Sequence, residues 1–176
     1  MSRERILVSA LSLAGAYFFL SILVLWPIVD LLSSTWPLQL GNLQWRYGFL
    51  GLLAAYLHTP ILGILLAQGL AYVFRANLAI RLLSILSMLG ALILFVVFVL
   101  FPLDVLQIRS AVPEDRLMSF QVGALIAELK HFTAFVALLL IGLGGWRTSV
   151  DLGKKNRAAA GSELTAEVLK AHQKKG

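Results

Sequence analysis

Three stretches of this chain, Ile6 to Val29, Tyr47 to Phe74 and Leu82 to Leu103, contain no charged side chain, and nothing else in the sequence constrains the fold as strongly. They are bounded by Arg5 and Asp30, by Arg46 and Arg75, and by Arg81 and Asp104. Each is longer than the roughly 20 residues a helix needs to cross about 30 Å of hydrocarbon at about 1.5 Å per residue. A soluble domain would interleave charge with its apolar residues. Here 59% of the residues are hydrophobic and 14% charged, a balance that a polar shell in water cannot cover.

A fourth run, His131 to Trp146, is shorter. With Trp146 and Arg147 at one membrane interface, about 20 residues counted backwards place the other boundary near Ala127. Glu128 and Lys130 then lie just inside it. Pro113, Glu114 and Asp115 form a suitable first helical turn, so the helix is expected to begin well before the membrane. The first run ends in Leu25, Trp26, Pro27 without a small-x-small cleavage site, so it reads as a retained span rather than a removed signal.

The expected fold is therefore all-α: an integral membrane four-helix bundle with spans at about 6–27, 48–74, 82–103 and 126–146. Residues 147–176 follow as a basic tail. Arg3, Arg5, Arg75, Arg81, Arg147, Lys154, Lys155 and Arg157 cluster at one set of span ends, and acidic residues offset Arg46, Arg109 and Arg116 at the other. The positive-inside bias then puts both termini in the cytoplasm. The net charge of +6 belongs to this pattern, so membrane lipids and other membrane subunits are the expected partners, and nucleic acid is not.

Several local features carry expectations of their own. Gly63, Ala67 and Ala71 form a small-residue stripe on span two, matched by Ser84, Ser87 and Ala91 on span three and by Ser12 and Ala16 on span one. Such stripes let helices approach closely in lipid. Thr59 and Pro60 should kink span two, with the threonine hydroxyl repairing part of the lost bonding. Gln68 should hydrogen-bond between helices. Pro27 to Arg46 should lie along the membrane surface as a loop rich in tryptophan and leucine. In the tail, Ser162 is a suitable N-cap for a short amphipathic helix bearing Leu164, Val168 and Leu169.

Chemistry-bearing residues are few. With no cysteine, thiolate metal sites, iron–sulfur clusters and cysteine nucleophiles are excluded. No phosphate loop, metalloprotease or hydrolase motif is present. One constellation remains: His58, Glu128, Lys130 and His131. Spans two and four run in the same direction and place the two histidines at equal depth. A Glu128–His131 contact with His58 as a third member follows from that register. Such a cluster serves either as polar contacts fixing helix register or as a ligand set for haem b or a quinone. No cofactor is expected on the first reading.

Trp45, Arg46, Tyr47, Gly48, then Thr59, Pro60, Ile61, Leu62, Gly63, then Phe101, Pro102, Leu103, Asp104 resemble small four-span bacterial proteins, the HpsJ-like family of cyanobacteria. The resemblance covers the first three spans and implies an association with polysaccharide export. The chain departs from that family after span three, where a short loop replaces a long Gln-rich segment. No site residue is carried over. The function expected from the residues themselves is that of a non-catalytic accessory or scaffold subunit of a bacterial inner-membrane complex, not an enzyme. A small haem- or quinone-binding electron-transfer subunit using His58 and His131 is the alternative, and an oligomeric channel or permeation protein is the third.

Overall fold

The computed structural model describes the backbone of residues 3–173 and the side chains of residues 12–154, 158 and 161. Within these residues the regular secondary structure is all α-helix: α1 (Arg3–Ser34), α2 (Leu43–Tyr56), α3 (His58–Val73), α4 (Asn77–Arg109) and α5 (Glu114–Gln173). Three segments are long and apolar enough to cross a membrane, Ser12–Ser34, Asn77–Arg109 and Glu114–Lys154, and α2 with α3 makes a fourth if the bent pair counts as one span. The connections after α1 and α4 lie at one end of the assembly, termed distal here, and the α3–α4 turn lies at the other, proximal end.

The most extensive interface joins α4 to α5. Buried residues on α4 fall at Ile80, Ser84, Ser87, Ala91, Leu94 and Phe101, and on α5 at Ala124, His131, Ala134, Leu138, Gly142, Gly145 and Ser149. Both rows step by three, four or seven, the spacing that keeps one seam facing a partner helix. The seam is made of small residues at its proximal half. A Cβ on Gly142 would stand 3.2 Å from both the Met88 nitrogen and the Ser84 carbonyl oxygen, so the two backbones approach there as closely as glycine permits. Tilted ring pairs, Phe95 with Phe135 and Phe98 with Phe132, continue the α4–α5 contact toward the distal end.

Helix α1 packs on α3 and α2. At Gly63 a Cβ would meet Val24 Cγ2 at 2.9 Å and Leu23 Cβ at 3.2 Å, and Ala67 and Ala71 continue the buried face of α3. On α1 itself Ser12 is exposed and Ala16 half-buried, so the close approach occurs nearer the distal end than the sequence stripe indicates. The remaining surface of the helices carries large apolar side chains, among them Phe18, Trp26, Leu78 and Leu125, each at least 69% exposed. That surface suits lipid.

Two helix boundaries differ from the sequence expectation. Helix α1 runs through Pro27 to Ser34, so the first connection is only the short segment 35–42. Proline at position 27 leaves one carbonyl without its usual donor. The helix end beyond it is secured by the hydroxyls of Ser34 and Thr35, which donate to Asp30 O and Leu31 O at 2.7 Å, and by Trp45 Nε1, which donates to Thr35 O at 3.0 Å. The second span breaks at Leu57, three residues before Pro60, and bends there by 42°. The Pro60 ring obstructs the carbonyl four residues earlier, that of Tyr56, and so moves the break upstream of the proline. No hydrogen bond from the Thr59 hydroxyl repairs it among the described residues.

The proximal turn is tight. Arg75 adopts φ 51°, with Arg75 N donating to Tyr72 O and Ala76 N to Ala71 O, the pattern of a Schellman stop usually built on glycine. Helix α5 begins at Glu114 with two acids in its first turn and continues without interruption to Gln173. Ser162 therefore lies inside a continuous helix and opens no separate one. The apolar face expected from Leu164, Val168 and Leu169 lies outside the described side chains.

The seam makes a direct prediction. Replacing Gly142 by leucine forces a side chain onto the α4 backbone and should lower stability by about 1–3 kcal/mol. Gly69→Leu, at a position where a Cβ meets nothing within 4 Å, should be neutral. Thermal unfolding in detergent compares the two, and equal effects would contradict the seam.

Candidate functional site

The structure divides the four sequence candidates between two places. His131 is fully buried on the α4 side of α5, its ring edge-on to Phe101 with centroids 5.3 Å apart. The Leu50 backbone of α2 comes near the imidazole, but neither ring nitrogen is within hydrogen-bonding geometry of a partner. Glu128, one turn earlier and half-buried, has an unpartnered Oε2. The expected Glu128–His131 contact is not formed: Glu128 Oε2 and both His131 ring nitrogens lack a hydrogen-bond partner, and His131 is turned into the aromatic packing.

His58 and Lys130 occupy a different face. Both line a groove of about 320 Å³ between α3 and α5, whose walls continue as Leu57, Ile61, Leu65, Ala134 and Ala137. His58 is exposed and Lys130 half-buried. His58 does not join Glu128 and His131 as a third member, since the start of α3 points it into this groove while His131 packs on Phe101. Among the described residues, no three His, Asp or Glu side chains gather at a metal-binding spacing.

The strongest polar contact was not singled out from the sequence. Arg46, in the first turn of α2, donates from Nη2 to Asp104 Oδ1 at 2.7 Å and from Nε to Asp104 Oδ2 at 3.2 Å. Asp104 lies in the last turns of α4 and its side chain is 8% exposed, against 38% for Arg46. Nη1 of Arg46 also donates to Leu40 O at 3.4 Å, which ties down the connection before α2. One signal was available: antiparallel spans two and three put the start of one beside the end of the other. Below the ion pair Tyr47 stacks on Phe101 at 5.7 Å and meets Phe120 at 5.3 Å, so α2, α4 and α5 converge on one aromatic layer with His131 in it.

At the proximal end Gln68 Nε2 donates to Ile141 O at 3.0 Å, joining α3 to α5 as expected for a polar residue within a span. A Cβ on Gly145 would collide with the Gln68 amide and the Ser84 hydroxyl, so glycine there makes room for that bond. Gly63, Ala67 and Ala71 are buried on α3, and Gly63 meets α1 there. Arg81 sits 5.1 Å from the Trp146 ring centroid, a cation–π contact at this end.

Compared with known proteins, the chain matches no family model, no curated sequence and no solved structure.

The Arg46–Asp104 pair predicts an order of stabilities. Arg46→Ala leaves a buried carboxylate without its donor and should be the most destabilising, Asp104→Asn should cost less, and Asp104→Leu added to Arg46→Ala should recover part of the loss. Denaturant titrations of these three variants and of Asp104→Leu alone give the order. A double variant as unstable as the sum of its parts would show that the charges do not act as a pair.

Proposed function

We propose that the protein is a four-span helical bundle of a bacterial inner membrane, with both termini cytoplasmic, that serves as a non-catalytic accessory or scaffold subunit of a larger membrane complex. The observation that carries this reading is the length of α5. Its 60 residues extend about 90 Å at the usual helical rise, about three times the hydrocarbon thickness. Helix α4 begins at Asn77, beside Gly153 of α5, so α5 passes the end of its main partner and carries a basic segment about 30 Å beyond it. A helix in water draws most of its stability from packing, which favours a protein partner or an anionic membrane surface along that arm.

Other features support the same reading. The interior is occupied by small residues, ring pairs and a few directed hydrogen bonds, a construction suited to holding four segments in fixed register. The resemblance to HpsJ-like proteins adds polysaccharide-export machinery as a setting to test. The electron-transfer alternative requires His58 and His131 to converge on one ligand. They face different neighbours, Lys130 across the α3–α5 groove and Phe101 on α4, so it is the weaker reading.

Two measurements test the proposal. Topology reporters at Leu40, Asn77, Ser110 and Gly161 should alternate outside, inside, outside, inside, and an external signal at Asn77 would invert the assignment. Purification of the full chain in mild detergent should yield a stoichiometric membrane-protein partner that is lost when the helix is truncated after Lys154. A coloured preparation with a Soret band sensitive to His131→Ala would instead support the haem reading.

A further inference from the structure

Lys130 and His58 both line the distal part of the α3–α5 groove, and apart from Thr133, whose hydroxyl is turned to the Leu129 and Lys130 carbonyls of its own helix, the rest of that groove is apolar. Neither side chain has an ion pair or hydrogen bond among the described residues, whereas the other basic residue set against the helices at this end, Arg46, is held by Asp104. A lysine ammonium near the hydrocarbon boundary must reach either water or an anion, and its flexible stem lets it extend to the headgroup layer. From the mouth the groove runs along α3 past Ile61 to Leu65 and along α5 past Ala134 to Ala137. Seven residues of parallel helix make it about 10 Å deep. Small residues form one wall, so a chain of methylenes can lie between the helices.

We propose that this groove is a binding site for an anionic phospholipid of the distal leaflet, with the lipid phosphate between Lys130 Nζ and the His58 ring and one acyl chain against Ile61, Leu65, Ala134 and Ala137. Charge complementarity selects the occupant: a cationic mouth over an apolar slot, opening onto a surface of exposed leucine and phenylalanine, matches a negatively charged amphiphile. A hydrophobic helix from a partner would leave the lysine without a counter-ion. A soluble anion would leave the slot unfilled. The inference rests on membrane insertion of the helices and is independent of which face of the membrane the distal end occupies, and of the scaffold role.

The test uses the full-length protein, purified in mild detergent and delipidated, with native mass spectrometry and thermal shift as readouts. Added phosphatidylglycerol should give one persistent adduct and raise the melting temperature, phosphatidylcholine should do so weakly, and inorganic phosphate should have no effect. Lys130→Gln should weaken phosphatidylglycerol binding about tenfold, the loss of one charge-assisted hydrogen bond, and Lys130→Arg should restore it. Ala137→Phe, which fills the slot without touching the charges, should also weaken it. Arg116→Gln, at an exposed cation of the same end, serves as the control and should bind normally. Unchanged affinity in Lys130→Gln, an equal loss in Arg116→Gln, an equal response to inorganic phosphate, or a polypeptide shielding Lys130 would each overturn the proposal.

Discussion

Lipid tails are as apolar as leucine, so helices in a membrane gain nothing by burying leucine against leucine, and contact must come from shape and directed bonds. The α4–α5 seam meets that constraint most fully. Ser84, Ser87 and Ala91 on one helix and Gly142 and Gly145 on the other remove the side-chain layer that would hold the axes apart. Once the backbones are close, the Gln68 amide can reach across to Ile141 O. The third helix is thus referenced to a pair already fixed. Helix α1 is added last in this hierarchy, through the notch at Gly63, and its outer face stays apolar and exposed.

The distal end is organised by a different force. There ring pairs line the α4–α5 contact, and small-residue approach does not set the register of α2. The Arg46–Asp104 pair does so instead, with two directed bonds from a planar guanidinium to a carboxylate that is nearly removed from solvent. Bidentate geometry fixes rotation as well as distance. Its energetic value is modest because Arg46 remains partly open, but its positional value is large. With α2 held to α4, Tyr47 is brought onto Phe101 and Phe120, and the aromatic layer that encloses His131 is complete.

What could be read in the sequence and what could not follow from these two regimes. Span lengths depend on hydrophobic runs, and those are local, so the helices long and apolar enough to cross a membrane were legible. The small-residue face of span two and the role of Gln68 were legible for the same reason, since four-residue periodicity is visible along one helix. Rotation about a helix axis relative to its neighbours is not local. Depth alone placed His58 beside His131, yet the break at Leu57 turns the start of α3 toward Lys130, while His131 follows the seam toward Phe101. Arg46 and Asp104 were visible only as charges bounding runs, because their pairing needs the register of two antiparallel spans.

The bend at Leu57 connects the two regimes. Without it, α2 and α3 would form one straight helix, and packing Gly63 against α1 would carry Arg46 along a single line with no independent adjustment. The 42° break lets the proximal half of the span follow the close-packed contacts of α1, α4 and α5, while the distal half tilts to reach Asp104 and Phe101. Pro60 makes that break inexpensive by removing a backbone donor at the position where the helix must change direction. The same bend leaves His58 at the start of α3, facing away from the aromatic layer and into the groove with Lys130. The polar groove mouth is therefore a geometric consequence of joining a tightly packed end to an ion-paired one through a proline-directed bend.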